Sequence, residues 1–147
     1  MKNSSHCEHI DSPESDYLFI DVSQIPQSGN GLLTAIDIYE EEIIAVFQGE
    51  VLTAKEAKRR AEINQDQYFI CLLDGTILDS KHVACFAKYA NDASGAAPST
   101  FRNNARITTD DDGRACLVAQ RDIRSGEEIF CGYGSRYWKK HRKASLV

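Results

Sequence analysis

Gly126-Glu127-Glu128-Ile129-Phe130-Cys131-Gly132-Tyr133-Gly134-Ser135-Arg136-Tyr137-Trp138 reads as a turn and a strand that deliver a tyrosine to a site beside an aromatic pair. Taken alone, the stretch is an ordinary strand end with one tyrosine between two glycines. Two other segments, far away in sequence, give it meaning, and they emerge once the rest of the chain is laid out around it.

The 147 residues suffice for one domain with a real hydrophobic core, without disulfides or a structural metal. Cys7, Cys71, Cys85, Cys116 and Cys131 contain no Cys-x-x-Cys pair, and four of them fall in apolar or strand-like runs. That is a reduced, intracellular pattern. No apolar run approaches membrane-spanning length, and Met1 to Ser5 precede no apolar core, so neither a span nor a secretory signal is expected. The formal net charge of -5 argues against a broad nucleic-acid footprint and favours a basic partner. Lys139-Lys140-His141-Arg142-Lys143 is read as a solvated basic tail over 139–147, with phosphate contact or nuclear targeting as its alternatives.

Residues 1–16 are polar, contain Pro13 and lack periodicity, so they are expected to form a flexible arm before a domain spanning 17–138. His6, Cys7 and His9 invite a metal reading, but a structural zinc site needs four ligands and no partner pair appears at suitable spacing, so no metal is assigned. From Tyr17 onward, β-type runs alternate with turn signals: Tyr17 to Ile20, Leu32 to Ile36, Ile43 to Phe47, Tyr68 to Leu73, Thr76 to Leu78, Ala115 to Ala119 and Glu128 to Cys131. Asp74-Gly75 and Asp112-Gly113 are tight-turn dipeptides, and Asn30-Gly31 by itself is a hairpin-turn signal too. The expected fold is mostly β, in several small antiparallel sheets with short helices. Thr53-Ala54-Lys55-Glu56 is a capping box that opens a helix over Ala54 to Ile63. A second short helix is expected from Asp79 or Ser80 to Tyr89, where Val83, Phe86, Ala87 and Ala90 share one face. Asp92 to Asn103 is small, polar and Pro-containing, and reads as a surface loop.

Three segments in this order resemble the SET-domain family of protein lysine methyltransferases: Gly29-Asn30-Gly31-Leu32, Ala87-Lys88-Tyr89-Ala90-Asn91-Asp92, and Gly126 to Trp138. Val118 to Ile129 also looks like the family's approach to its catalytic tyrosine. The resemblance covers Tyr17 to Trp138 and implies the family's β-fold with a C-terminal pseudoknot. By this resemblance, Ser28, Gly29, Asn30 and Gly31 border the methyl donor S-adenosylmethionine, where close backbone approach asks for glycine. Asn91 falls on a cofactor-contacting Asn, and Asp92 replaces the adjacent His. Because an ionised Asp only accepts hydrogen bonds, its side-chain contact must differ from that of His, whereas a backbone contact would survive. Asn104 matches the motif's closing Asn across an unusually long loop.

Tyr133 falls on the catalytic tyrosine. Cys131 falls where the family commonly has Phe or Tyr, so a smaller wall is expected there, with room for products beyond monomethyl-lysine; its bland alternative is a small buried hydrophobe. Tyr68 is expected to border both cofactor and lysine channel, Phe47 to wall the channel, and Trp138 with Tyr137 to cover the adenine or the channel mouth. The implied activity is S-adenosylmethionine-dependent methylation of a protein lysine, with a histone tail as the expected partner and a nuclear or chromatin location if that holds. A non-histone protein substrate, a non-catalytic SET-like interaction module, and nucleic-acid binding through the basic tail are the competing readings.

Overall fold

The computed structural model describes residues 7–72, 75–94 and 100–132. Within them the chain forms ten strands, one α-helix and two short 3-10 turns, arranged as three small sheets. This is the mostly-β architecture that the run-and-turn pattern predicts.

The central sheet is built on β4 (Glu42–Val46) and β9 (Ala115–Ala119), which pair antiparallel with a bulge between Ile43 and Ala45. Alternation along β9, and along β4 with one step skipped at its bulge, sorts their side chains onto two faces. Ile44, Ala45, Leu117 and Ala119 join the main core, whereas Ile43, Val46, Cys116 and Val118 form a second cluster with Cys7 against it. β8 (Ala105–Thr109) continues the sheet beyond β9 through the turn at Asp112-Gly113, where Gly113 takes a positive φ of 80°. β1 (Glu8–His9) pairs parallel with β4 on the other edge. The segment expected to be a flexible arm therefore contributes a strand. Glu14, in the turn Glu14–Asp16, also accepts a hydrogen bond from Val46 N at 3.0 Å, so contacts with the sheet begin ahead of Tyr17.

β2 (Leu18–Val22) and β3 (Asn30–Thr34) form an antiparallel pair, and β10 (Glu128–Ile129) adds to the far side of β3. Asn30-Gly31 is not a turn here. Asn30 pairs with Val22 at the end of the ladder, and the chain reverses just before it, with Gln27 at φ 65° and Gly29 at φ 67°. The local hairpin signal is overridden because Gly31 is needed inside the strand for another reason, given below.

The third sheet, β5 (Glu50–Leu52), β7 (Ile77–Asp79) and β6 (Phe69–Cys71), is flanked by α1 (Ala54–Glu62). Thr53 Oγ1 accepts from Glu56 N at 3.1 Å, the N-cap half of the capping box. The Glu56 carboxylate turns instead to Arg59 and Arg60, which hold its pKa down at about 2. Arg60 reaches onward to Glu50 at 3.2 Å and to the buried Asp79 at 2.8 Å, fastening the helix to the sheet. The second helix is absent. Asp79 belongs to β7, and only Ala87–Tyr89 makes a 3-10 turn, because the backbone carbonyls of Ser80, Lys81 and Val83 converge on Lys88 Nζ at 3.1, 3.4 and 3.0 Å instead of pointing along a helix axis. Among the described residues no helix is long and apolar enough to cross a membrane.

Candidate active site

The site grows from one peptide unit. The carbonyl of Phe130 accepts from Asn104 N at 3.0 Å and Ala105 N at 2.9 Å, while the N–H of Cys131, pointing the opposite way, donates to Asn91 O at 2.8 Å. Parallel bridges Asn91↔Phe130 and Ala105↔Cys131 accompany these bonds. The strand leading to Tyr133 thus runs between the two ends of the Asp92 to Asn103 loop. This is the described part of the pseudoknot that the resemblance implies.

Asn104 closes the crossing with its side chain, which is buried. Its Oδ1 accepts from Phe130 N at 2.8 Å and its Nδ2 donates to Glu128 O at 3.0 Å. Asp92, also buried, holds the loop's other end. One of its carboxylate oxygens accepts from Ser94 N at 2.9 Å, Ser94 Oγ at 2.8 Å and Asn103 Nδ2 at 3.0 Å. Asn103 answers by accepting from Ala93 N at 2.8 Å. An acceptor-only side chain at 92 is therefore used to pin its own loop. Phe101 packs on Phe130 with ring centroids 5.4 Å apart, and both join Ile25 and Ala93 in a satellite cluster.

The glycine segment meets this crossing through Asn91, whose Nδ2 donates to Asn30 O at 3.0 Å. Sequence-distant Asn30, Asn91 and Cys131 are thereby joined by two hydrogen bonds. Gly29 is exposed, and a Cβ built on it meets nothing within 4 Å, so the space over its Cα is open, while its carbonyl accepts from Ser23 N at 2.8 Å. Gly31 differs. A Cβ there would overlap Glu128 Oε2, stand 2.8 Å from Glu128 Cδ and 3.3 Å from Ser23 Cβ. The lack of a side chain at 31 is accounted for by Glu128. Ser28 is half-exposed and donates its N–H to Ile25 O at 3.2 Å.

Cys131 is buried without exposure in the main core cluster, to which Phe47 also belongs. Burial, with the Asp92 charge adding to it, pushes the Cys131 thiol up to about 12, so it is neutral at physiological pH. Phe47 and Tyr68 share a small cleft with Ile70, Ser80 and Lys88. Lys88 Nζ lies 5.6 Å from the Tyr68 ring centroid and 5.5 Å from that of Tyr89. Lys88 stands in the Ala87 to Asp92 motif with no role that its sequence context signals. Its three carbonyl acceptors come from a stretch whose apolar spacing signals a helix instead. Tyr133, Tyr137, Trp138 and the basic run Lys139 to Lys143 lie outside the described residues.

A family model described as the SET domain matches residues 29–134. The chain is 29% identical over 127 aligned residues to the histone-lysine N-methyltransferase EZH2 of Chaetomium thermophilum, covering 78% of this chain and 8% of that protein. It is 27% identical over 144 residues to a histone-lysine N-methyltransferase of Saccharomyces cerevisiae described as H3 lysine-36 specific, covering 93% of this chain and 19% of that protein. The chain thus spans less than a fifth of the length of either relative.

Proposed function

The chain belongs to the SET-domain family, and from that membership we propose that it is a protein lysine N-methyltransferase using S-adenosylmethionine, with histone tail lysines as its substrates. The observation that supports this most is the junction at Asn91, which bonds to Asn30 O through its side chain and to Cys131 N through its backbone. It ties the glycine segment to the strand that issues in Tyr133. A histone substrate would put the protein at chromatin and suits the net charge of -5.

Ser28, Gly29, Asn30, Gly31, Tyr68, Asn91, Asp92 and Trp138 would hold the methyl donor. The open space over the Gly29 Cα, next to Asn30 that Asn91 holds, fits such a role. The donor supplies an electrophilic methyl on a sulfonium. The chain's own part is positioning. Phe47 and Tyr68 desolvate the incoming lysine, whose free amine has a pKa of about 10.4 and must be neutral to attack; an apolar wall favours that form. Tyr133 OH orients the amine. Tyr133→Phe should leave the fold and donor binding intact and lower turnover by roughly 10²-fold or more, the scale of removing one well-placed hydrogen-bond group; unchanged turnover removes Tyr133 from this role.

Cys131 is smaller than the aromatic expected at its position, and on that ground the product should go beyond monomethyl-lysine. Timed mass spectra of a good peptide substrate that stop at the monomethyl product would reject this. The direct test of the activity is transfer from labelled S-adenosylmethionine onto intact histones and unrelated proteins, with the modified lysine mapped. Transfer only to the unrelated proteins selects a non-histone substrate. The commitment of Asp92 to its own loop favours one alternative, a non-catalytic interaction module. That reading predicts no transfer to either set and no thermal stabilisation by S-adenosylmethionine.

A further inference from the structure

Glu128 is buried at 2% exposure, and its side-chain partners are uncharged. Oε1 accepts from Gln24 N at 2.7 Å and Oε2 from Ser23 Oγ at 2.6 Å. Ser23 passes the constraint on: its Oγ accepts from Ile25 N at 3.1 Å, and its N–H donates to Gly29 O at 2.8 Å. The carboxylate therefore holds the start of the 23–29 reversal, at Ser23 and Gln24, and the Ser23 backbone closes that reversal onto Gly29 just before Asn30. It can do so only because Gly31 has no side chain, since a Cβ there would fall on Oε2. Gly31 lies in β3 without a positive φ, so conformational freedom is not what the position asks for.

The main chain of the same strand is held by a different residue. Asn104 fixes Glu128 O and Phe130 N through its side chain. The Glu128 side chain and the Asn104 side chain thus control two different things, the glycine reversal and the route toward Tyr133.

We infer that Glu128 is a positioning residue for donor binding, seated in the space that Gly31 leaves and anchoring from there the Ser23 end of the reversal that closes onto Gly29. The inference rests on the reading above that Ser28 to Gly31 borders the methyl donor. It predicts a split in kinetics. Glu128→Gln keeps the shape and one acceptor but loses the charged hydrogen bonds, so KM for S-adenosylmethionine rises about tenfold while kcat stays within about twofold. A merely structural role would lower apparent kcat through loss of folded enzyme and leave KM unchanged.

The experiment is a double-mutant cycle on the full chain with Gly31→Ala, Glu128→Ala and the pair, read by thermal unfolding and by calorimetric titration with S-adenosylhomocysteine. Gly31→Ala alone should lower Tm sharply. Adding Glu128→Ala should raise it again, to about the value for Glu128→Ala alone. If the pair is no more stable than Gly31→Ala, the seat is refuted. If the seat holds but Glu128→Gln leaves KM for the donor unchanged, the positioning role is refuted. Coupling in Tm with no S-adenosylhomocysteine binding by the wild type keeps the seat and rejects the methyltransferase reading instead.

Discussion

Asn104 engages the crossing with every polar group it has. Its backbone N–H donates to Phe130 O, its carbonyl accepts from Gln120 N, and its amide spans Glu128 O and Phe130 N. Asn104→Ala leaves those last two backbone groups buried and unpaired, at about 2–5 kcal/mol together, so urea denaturation should show a large drop in stability. Asn104→Asp restores the acceptor for Phe130 N but not the donor for Glu128 O, and should recover part of the loss; equal loss in both variants would show that the amide geometry is not what matters. The residue was legible as a motif asparagine because its type and its place after the loop are written in the chain. The Gly31 and Glu128 pairing was not. A glycine between Asn30 and Leu32 looks like a turn or a close approach to a ligand, and nothing local points to a carboxylate that returns from the far end of the chain.

At the scale of elements, α1 shows which charges count. Arg59 and Arg60 both pair with Glu56 on the helix surface. Arg60 alone continues to Glu50 and to Asp79, whose side chain is 1% exposed and is shared with Lys81 N at 3.0 Å. Removing Arg60 leaves a buried carboxylate without its counter-charge, whereas removing Arg59 opens an exposed pair of small worth. Thermal unfolding should therefore rank Arg60→Ala well below Arg59→Ala, which should sit within a degree or so of wild type on the usual scale for surface changes; equal Tm values would contradict the fastening. Thr53→Ala should cost about 1 kcal/mol through the lost N-cap. The cap and helix were legible because their signals lie within one turn. The second expected helix failed because Val83, Phe86, Ala87 and Ala90 have helical spacing by composition, while the backbone carbonyls of 80, 81 and 83 are drawn to Lys88. Periodicity sees side chains and misses such a competing acceptor set.

For the molecule as a whole, strand content and the hairpins at Gly75 and Gly113 could be read locally, but the assembly of the sheets rests on pairings no local pattern encodes: β1 beside β4, β10 beside β3, and the Phe130 crossing. That assembly buries ionisable groups on both sides of the β4 and β9 pair, with a consequence for pH. Burial raises the Cys131 thiol from its ordinary value of 9.0 to about 12, and raises Cys116 to about 11. Between pH 9 and those values the unfolded chain has released protons that the folded chain still holds. The unfolded state then binds fewer protons, so stability falls as pH rises, by up to about 1.4 kcal/mol per pH unit for each thiol. The Cys116 contribution should level off near pH 11 and that of Cys131 near pH 12. Urea midpoints between pH 8 and 10.5 should decline steeply for the wild type and more gently for Cys116→Ala/Cys131→Ala. Absolute stability of the double variant will be lower because of the lost volume, and the slope against pH is the quantity to compare. Tyr17 is a second source of alkaline sensitivity, since burial raises its hydroxyl too while it donates to Ile44 O at 2.7 Å. Tyr17→Phe in the Cys116→Ala/Cys131→Ala background should flatten the slope further, and a slope that is identical in all three proteins would mean that these buried groups do not set the alkaline limit.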